Sequence, residues 1–128
     1  MMQYGISRTV SLPYDRAVEK VTEELQKEGF GVLTSIDVKE TMRKKLSVDF
    51  KRYVILGACN PPFAYKALQA EDQIGLLLPC NVAVYEKDGS SVVSVFDPTV
   101  MTGLVENQEI VPIAREMKQR LERMLAAV

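Results

Sequence analysis

Two cysteines, each followed by an asparagine, are the side chains of this 128-residue sequence best suited to chemistry. Cys59 precedes Asn60, and Cys80 precedes Asn81. Two thiols that meet in space can bind a soft metal ion or act as a dithiol redox couple, and neighbouring amides can hydrogen-bond a polar ligand. We therefore take the four residues as the candidate ligand-binding set, with Cys59 and Cys80 as candidate metal ligands.

Cys59 is expected at the end of a strand and just before a helix. The continuously apolar run 53–59 predicts a strand covered on both faces. Asn60 is a good N-cap and Pro61 suits the first helical position, which predicts a helix over 61–71 that buries Ala64, Ala67 and Leu68. The free N–H groups of that helix would favour a thiolate at Cys59.

Cys80 is expected at the start of the next strand, because Pro79 cannot donate to a sheet ladder. If the two strands pair antiparallel, both thiols lie at the same end of the sheet. The simpler alternative is that both cysteines are small buried hydrophobic residues beside turns. The distance between them depends on strand register, which the sequence leaves open.

The sequence contains no histidine, which excludes His-based triads, His general bases and His-rich metal sites. Two thiolates alone do not complete a tetrahedral zinc site without carboxylates, water or a second subunit. An enzyme or redox protein with a nucleophilic Cys59 and a resolving Cys80 stays an alternative, because a helix N-terminus can lower a thiol pKa without histidine.

The elements that must position these residues follow the order β-α-β-α-β-α-β-β-α. Asp88-Gly89 predicts a tight hairpin turn, and 99–106 is expected to be a loop or turn. A final helix over 108–127 carries an apolar stripe that includes Met117. The pattern predicts one α+β domain over 1–128, with a mainly antiparallel sheet of about five strands and helices on one face. By fold analogy, a ligand cleft is expected between the final helix and the sheet.

Charge and hydropathy exclude several partners. The formal net charge of −1 argues against nucleic-acid binding, and no apolar run is long enough for a membrane span. The N-terminus lacks the pattern of a signal peptide, so a cytoplasmic location with reduced thiols is expected. The basic run 43–45, with Lys51 and Arg52, is either a solvated face or an anion-binding patch near the cysteines.

Segments 57–61 (GACNP) and 78–82 (LPCNV), with 29–33 (GFGVL) and 36–37 (ID) upstream, resemble domain-of-unknown-function family 302. The resemblance covers nearly the whole chain. It implies a curved antiparallel sheet similar to TATA-binding-protein-like folds, and a homodimer. It implies no established activity or cofactor.

These observations favour a non-catalytic binding or sensor domain, acting as a homodimer, that holds a small molecule or a soft metal beside Cys59, Asn60, Cys80 and Asn81. The alternatives are the thiol-dependent redox protein or enzyme, and a structural or interaction module. The identity of the ligand is left open.

Overall fold

A computed structural model describes residues 3–128 and contains one five-stranded antiparallel sheet. The strand order is β1-β5-β4-β3-β2, so β1 and β2 form the edges. This confirms the predicted α+β class. The strands are β1 (Gly5–Val10), β2 (Gly31–Asp37), β3 (Tyr53–Cys59), β4 (Cys80–Lys87) and β5 (Ser90–Phe96).

The helices lie where the sequence pattern placed them, with two additions. The segment expected to be a loop or turn after β5 contains a 3-10 turn and also a short helix, and a second 3-10 turn precedes β4. The helices are α1 (Tyr14–Lys27), α2 (Val38–Leu46), α3 (Pro61–Ala70), α4 (Met101–Leu104) and α5 (Ile110–Ala127), and the 3-10 turns are Asp72–Leu77 and Pro98–Val100. Among the described residues, no helix is long and apolar enough to cross a membrane.

Strand alternation divides the sheet into two faces. On β4, Cys80, Val82 and Val84 are buried, whereas Asn81 is exposed and Tyr85 half-buried. The buried set faces α1 and α5, whose apolar stripes form the core with it. We call the opposite side the open face; it includes Tyr53, Asn81, Ala83, Tyr85 and Ser94.

Local signals in the sequence account for the main turns. Gly29 has a φ of 85° directly after α1, a conformation that glycine adopts without strain. Asp37 caps α2 by accepting a hydrogen bond from the Glu40 N–H. Asp88 and Gly89 both have positive φ values, 51° and 79°, as the predicted hairpin between β4 and β5 requires.

Two expectations about burial were wrong. Strand β3 is covered by helices on one face only, so Tyr53 and Ile55 are half-buried on the open face. On α3, Ala67 is buried, but Leu68 is 41% exposed. The first error arises because a continuous apolar run does not show which face the helices leave uncovered.

Candidate functional site

A cavity of about 280 Å³ lies where β3 ends and β4 begins. Strand ends form one side of it, and α3, α5 and the turn before β4 supply the rest. Most of its wall is apolar. The apolar side chains that line it are Leu33, Ala64, Leu68, Leu78, Pro79 and Met117.

Both cysteines line this cavity. Strands β3 and β4 pair antiparallel with Ala58 opposite Cys80, which places Cys59 one residue further along. The expectation that antiparallel pairing brings the thiols to the same end of the sheet is confirmed. Cys80 is buried, Cys59 is half-buried, and both are free thiols.

Burial keeps both sulfurs protonated at neutral pH. It raises the pKa of the Cys80 thiol to about 11, with a smaller contribution from the neighbouring Cys59. Burial also raises the pKa of Cys59. The direction of this shift is opposite to the one expected for Cys59 from the N-terminus of α3.

Asn60 lines the cavity, but the chain itself uses both ends of its amide. Its Oδ1 accepts a hydrogen bond from the Phe63 N–H at 3.4 Å, which confirms the predicted N-cap of α3. Its Nδ2 donates to the Glu28 carbonyl at 3.5 Å, and Arg120 donates to the same oxygen at 3.0 Å. Asn60 thus fixes the start of α3 against the end of α1.

Asn81 lies on the other side of the sheet. It follows Cys80 directly in β4, so strand alternation turns it to the open face, where it is exposed and lines a different cavity. The structure therefore brings together Cys59, Asn60 and Cys80 and separates Asn81 from them.

Gly57 allows the turn before β4 to pack against β3. A Cβ at this position would lie 2.9 Å from Pro79 Cγ and 2.2 Å from Thr34 Oγ1, both far too close. The absence of a side chain at Gly57 therefore leaves the space that the Pro79 ring occupies. Leu78 and Pro79 line the 280 Å³ cavity on one side and the open-face cavity on the other.

Sequence reasoning did not assign Met117 or Leu33 to the site. Helical periodicity correctly placed Met117 among the buried residues of α5, where it is 3% exposed. No spacing in the sequence links it to the cysteines, because α5 meets the strand ends only in the folded chain. Leu33 lies where the register of the β2–β3 pair shifts, between Val32 and Thr34. At such an irregularity, strand alternation no longer predicts the direction of the side chain.

The chain offers few charged groups for a metal or an anion at this site. Across residues 3–128, no group of three or more Cys, Asp or Glu side chains is placed to hold a metal ion. Three of the basic residues considered above form ion pairs away from the cavity. Arg43 and Lys44 pair with Glu40, and Arg52 pairs with Glu86 at 3.2 Å. Arg52 precedes the start of β3, at the end of the sheet opposite Cys59, so a basic patch beside the cysteines is not formed.

The chain thus has an α+β fold with one helix-covered face, one open face and a cysteine-lined cavity. The sequence model described as "Domain of unknown function DUF302" matches residues 6–128, and the chain belongs to that family. A similar solved structure is the crystal structure of an uncharacterized conserved DUF302 protein from Bacillus stearothermophilus. Its sequence is 31% identical to this chain, and the match covers 98% of each of the two chains with a TM-score of 0.91. No curated protein matches the chain.

Proposed function

We propose that the domain is a non-catalytic binding or sensor domain that takes a small apolar molecule into the cavity lined by Cys59 and Cys80. The observation that supports this proposal is the cavity itself, about 280 Å³ with a mostly apolar wall. Ligand sites in proteins are concave and largely apolar, with few polar groups that orient the ligand.

The volume and chemistry of the cavity define the class of ligand. Apolar protein cavities of roughly 150 Å³ bind benzene or xenon, so this one accommodates a molecule of one or two rings. Protonated thiols at Cys59 and Cys80 behave as small, polarisable hydrophobic contacts. One donor and one acceptor position of the Asn60 amide are already used by the backbone, so this side chain has little capacity left for a strongly polar ligand.

The same features argue against catalysis at Cys59. A nucleophilic cysteine needs a lowered pKa or an adjacent base, whereas burial raises the pKa of both thiols, and the sequence has no histidine. Binding without covalent chemistry is therefore the function that the geometry supports best.

The test is thermal unfolding with benzene or indole as the probe. A ligand that binds only the folded state raises the melting temperature in a concentration-dependent way. Ala64 lines the cavity, so Ala64→Leu should fill part of it and abolish this rise. The matched control is Ala126→Leu, the same substitution at an exposed position of α5, which should retain the full response. If neither probe stabilises the parent protein, or if Ala64→Leu responds like the control, the proposal is wrong.

A second candidate function is the binding of a soft metal ion. Three sulfur-containing residues, Cys59, Cys80 and Met117, line one cavity. Thiolate and thioether ligands together favour Cu(I). Because the thiols must lose protons to bind a metal, Cu(I) affinity should increase with pH.

Met117→Leu separates the two candidates, since it removes a sulfur and nearly preserves volume. A Cu(I)-binding site would lose affinity in this variant in a competition titration, whereas an apolar-ligand site would keep its response to benzene. Unchanged Cu(I) titration in both Met117→Leu and a Cys59→Ala/Cys80→Ala variant would show that no metal binds here.

We further propose that the domain acts as a homodimer. Support comes from apolar side chains that are exposed on β2 and on the segment after it. Those that are at least one-third exposed are Leu33, Ile36, Leu46, Val48 and Phe50. These residues belong to an edge strand and the segment that follows it, and monomers rarely leave large apolar patches exposed to solvent. Sedimentation equilibrium should give twice the 14.3 kDa chain mass, and Ile36→Lys should reduce it towards the monomer. A parent protein of monomer mass would contradict this proposal.

A further inference from the structure

The open face of the sheet carries a second cavity, of about 470 Å³. Its floor consists of small residues on neighbouring strands: Gly5 on β1, Ser94 on β5 and Ala83 on β4. Ala83 and Ser94 are directly opposite each other in the β4–β5 pair. Small residues on three successive strands leave a hollow where larger side chains would fill the surface.

Aromatic side chains border this hollow. Tyr53 and Tyr85 are opposite in register and stack, with ring centroids 5.0 Å apart and planes 7° from parallel. Tyr4 and Phe96 line it as well, and the segment Leu76–Pro79 overhangs it. Flat walls of this kind fit a flat ligand, because aromatic rings gain most from stacked or edge-to-face contact.

The polar groups of the hollow are neutral. None of its thirteen lining residues carries a formal charge. Asn81 supplies an exposed amide that both donates and accepts hydrogen bonds. The Ser94 hydroxyl is already hydrogen-bonded to that of Ser7 at 2.7 Å. The available recognition is thus the Asn81 amide together with the hydroxyls of Tyr4, Tyr53 and Tyr85, in an aromatic hollow.

We propose that this open-face cavity is a second binding site, for a neutral, planar ring that bears a hydrogen-bond donor and an acceptor. The volume falls in the range of small-molecule sites, roughly 300–1,000 Å³. A cationic ring would be disfavoured, because the lining has no negative charge to compensate its desolvation and Lys51 Nζ lies 4.8 Å from the centroid of the Tyr85 ring. The site goes beyond the function proposed above, since it lies on the other face of the sheet and uses neither cysteine.

The test uses nicotinamide, a neutral planar carboxamide, with 1-methylnicotinamide as the cationic control that keeps the same carboxamide. Titration of ¹⁵N-labelled protein should shift the amide signals of Asn81, Ala83 and Tyr85 with nicotinamide and much less with the cation. Asn81→Ala removes only an exposed amide and should weaken binding about three- to tenfold, the effect of losing one hydrogen bond. Ala83→Leu, which fills the floor, should abolish binding, and Ala126→Leu should not change it.

Three results would overturn the proposal. Equal binding of 1-methylnicotinamide would show that the charge argument is wrong. An unchanged affinity in Asn81→Ala would show that the amide does not recognise the ring. If Ala83→Leu halves the mass of a parent dimer, the hollow is buried between two copies and is no ligand site.

These results are independent of the first cavity. Ala64→Leu should retain nicotinamide binding, and Asn81→Ala should retain stabilisation by benzene. Failure at one site therefore leaves the other proposal untouched.

Discussion

Cys80 lies directly opposite Ala58 in the β3–β4 pair, one residue away from the position of Cys59. Cys80, the first residue of β4, is buried, whereas Cys59, the last residue of β3, is half-buried. The two sulfurs therefore share a cavity but differ in their access to solvent. That difference makes their reactivity a direct test of the site.

Both thiols should react slowly with iodoacetamide at neutral pH. Burial raises both pKa values, that of Cys80 to about 11, so the reactive thiolate is scarce. Cys59 should be alkylated more slowly than free cysteine, and Cys80 only after unfolding. Mass spectrometry of the alkylated peptides checks this, with urea-unfolded protein as the control. Faster alkylation of Cys59 than of free cysteine would restore the nucleophilic hypothesis.

The same pKa shift predicts a loss of stability at alkaline pH. An unfolded cysteine ionises near pH 8.5, whereas Cys80 in the folded chain stays protonated to about 11. Between these values the unfolded state has lost a proton that the folded state keeps, so the free energy of unfolding falls as pH rises. Urea unfolding from pH 7 to 10 should show this fall, and Cys80→Ala should reduce it. A parent protein with pH-independent stability in this interval would contradict the shift.

Gly57→Ala should destabilise the fold by about 1–3 kcal/mol, because the added methyl overlaps the Pro79 ring. Thr34 is on an edge strand and can rotate, but the proline ring is held by its own backbone. Gly103→Ala is the matched control: its Cβ meets nothing within 4 Å, and the position is helical. It should be neutral or stabilising by up to about 1 kcal/mol. The urea concentrations at the midpoint of unfolding compare the two variants. Equal midpoints would show that the turn before β4 shifts to accommodate the added methyl at no cost in stability.

Much of the fold was predictable because local chemistry and tertiary structure agree. Asn60-Pro61 starts α3, Gly29 follows α1, and Asp88-Gly89 forms the hairpin, all as their conformational preferences require. The buried stripe of α5 follows from helical periodicity alone.

The site was less predictable, because it depends on relations that periodicity does not contain. Strand alternation separates Asn81 from Cys80 once the helix-covered face is known, and a continuous apolar run hides that choice. Met117 reaches the cysteines only through the docking of α5. The pKa of Cys59 likewise depends on tertiary packing, because burial of the thiol raises it. The sequence order shows only that a helix N-terminus follows Cys59.

Asn60→Ala should destabilise the protein by about 1–2 kcal/mol, since it removes the N-cap of α3 and a contact with the Glu28 carbonyl. Asn81→Ala is the same change at an exposed position and should lie within about 0.5 kcal/mol of the parent. Denaturant unfolding of both variants measures the difference. Equal stability would mean that the cap contributes nothing and would free Asn60 for a role in ligand binding.

Asp97→Asn should destabilise the protein at neutral pH and have little effect in acid. Burial alone would raise the pKa of Asp97, but hydrogen bonds from Thr99 and Lys118 outweigh it and lower the pKa below its ordinary value. Its Oδ1 accepts from the Thr99 hydroxyl at 2.6 Å, and its Oδ2 is 3.0 Å from Lys118 Nζ on α5. The carboxylate thus ties the end of β5 to the final helix.

The sign of the pH dependence follows from that lowered pKa. The stabilisation is complete above the unfolded pKa of about 3.9 and is lost as pH falls through the lower folded value. Losing a hydrogen-bonded charge costs about 1–3 kcal/mol, so Asp97→Asn should cost that much at pH 7 and approach zero near pH 2. Asp72→Asn, at an exposed position without a capping hydrogen bond, is the control and should cost little at either pH. A cost for Asp97→Asn that is the same at both pH values would show that shape, and not charge, holds β5 to α5.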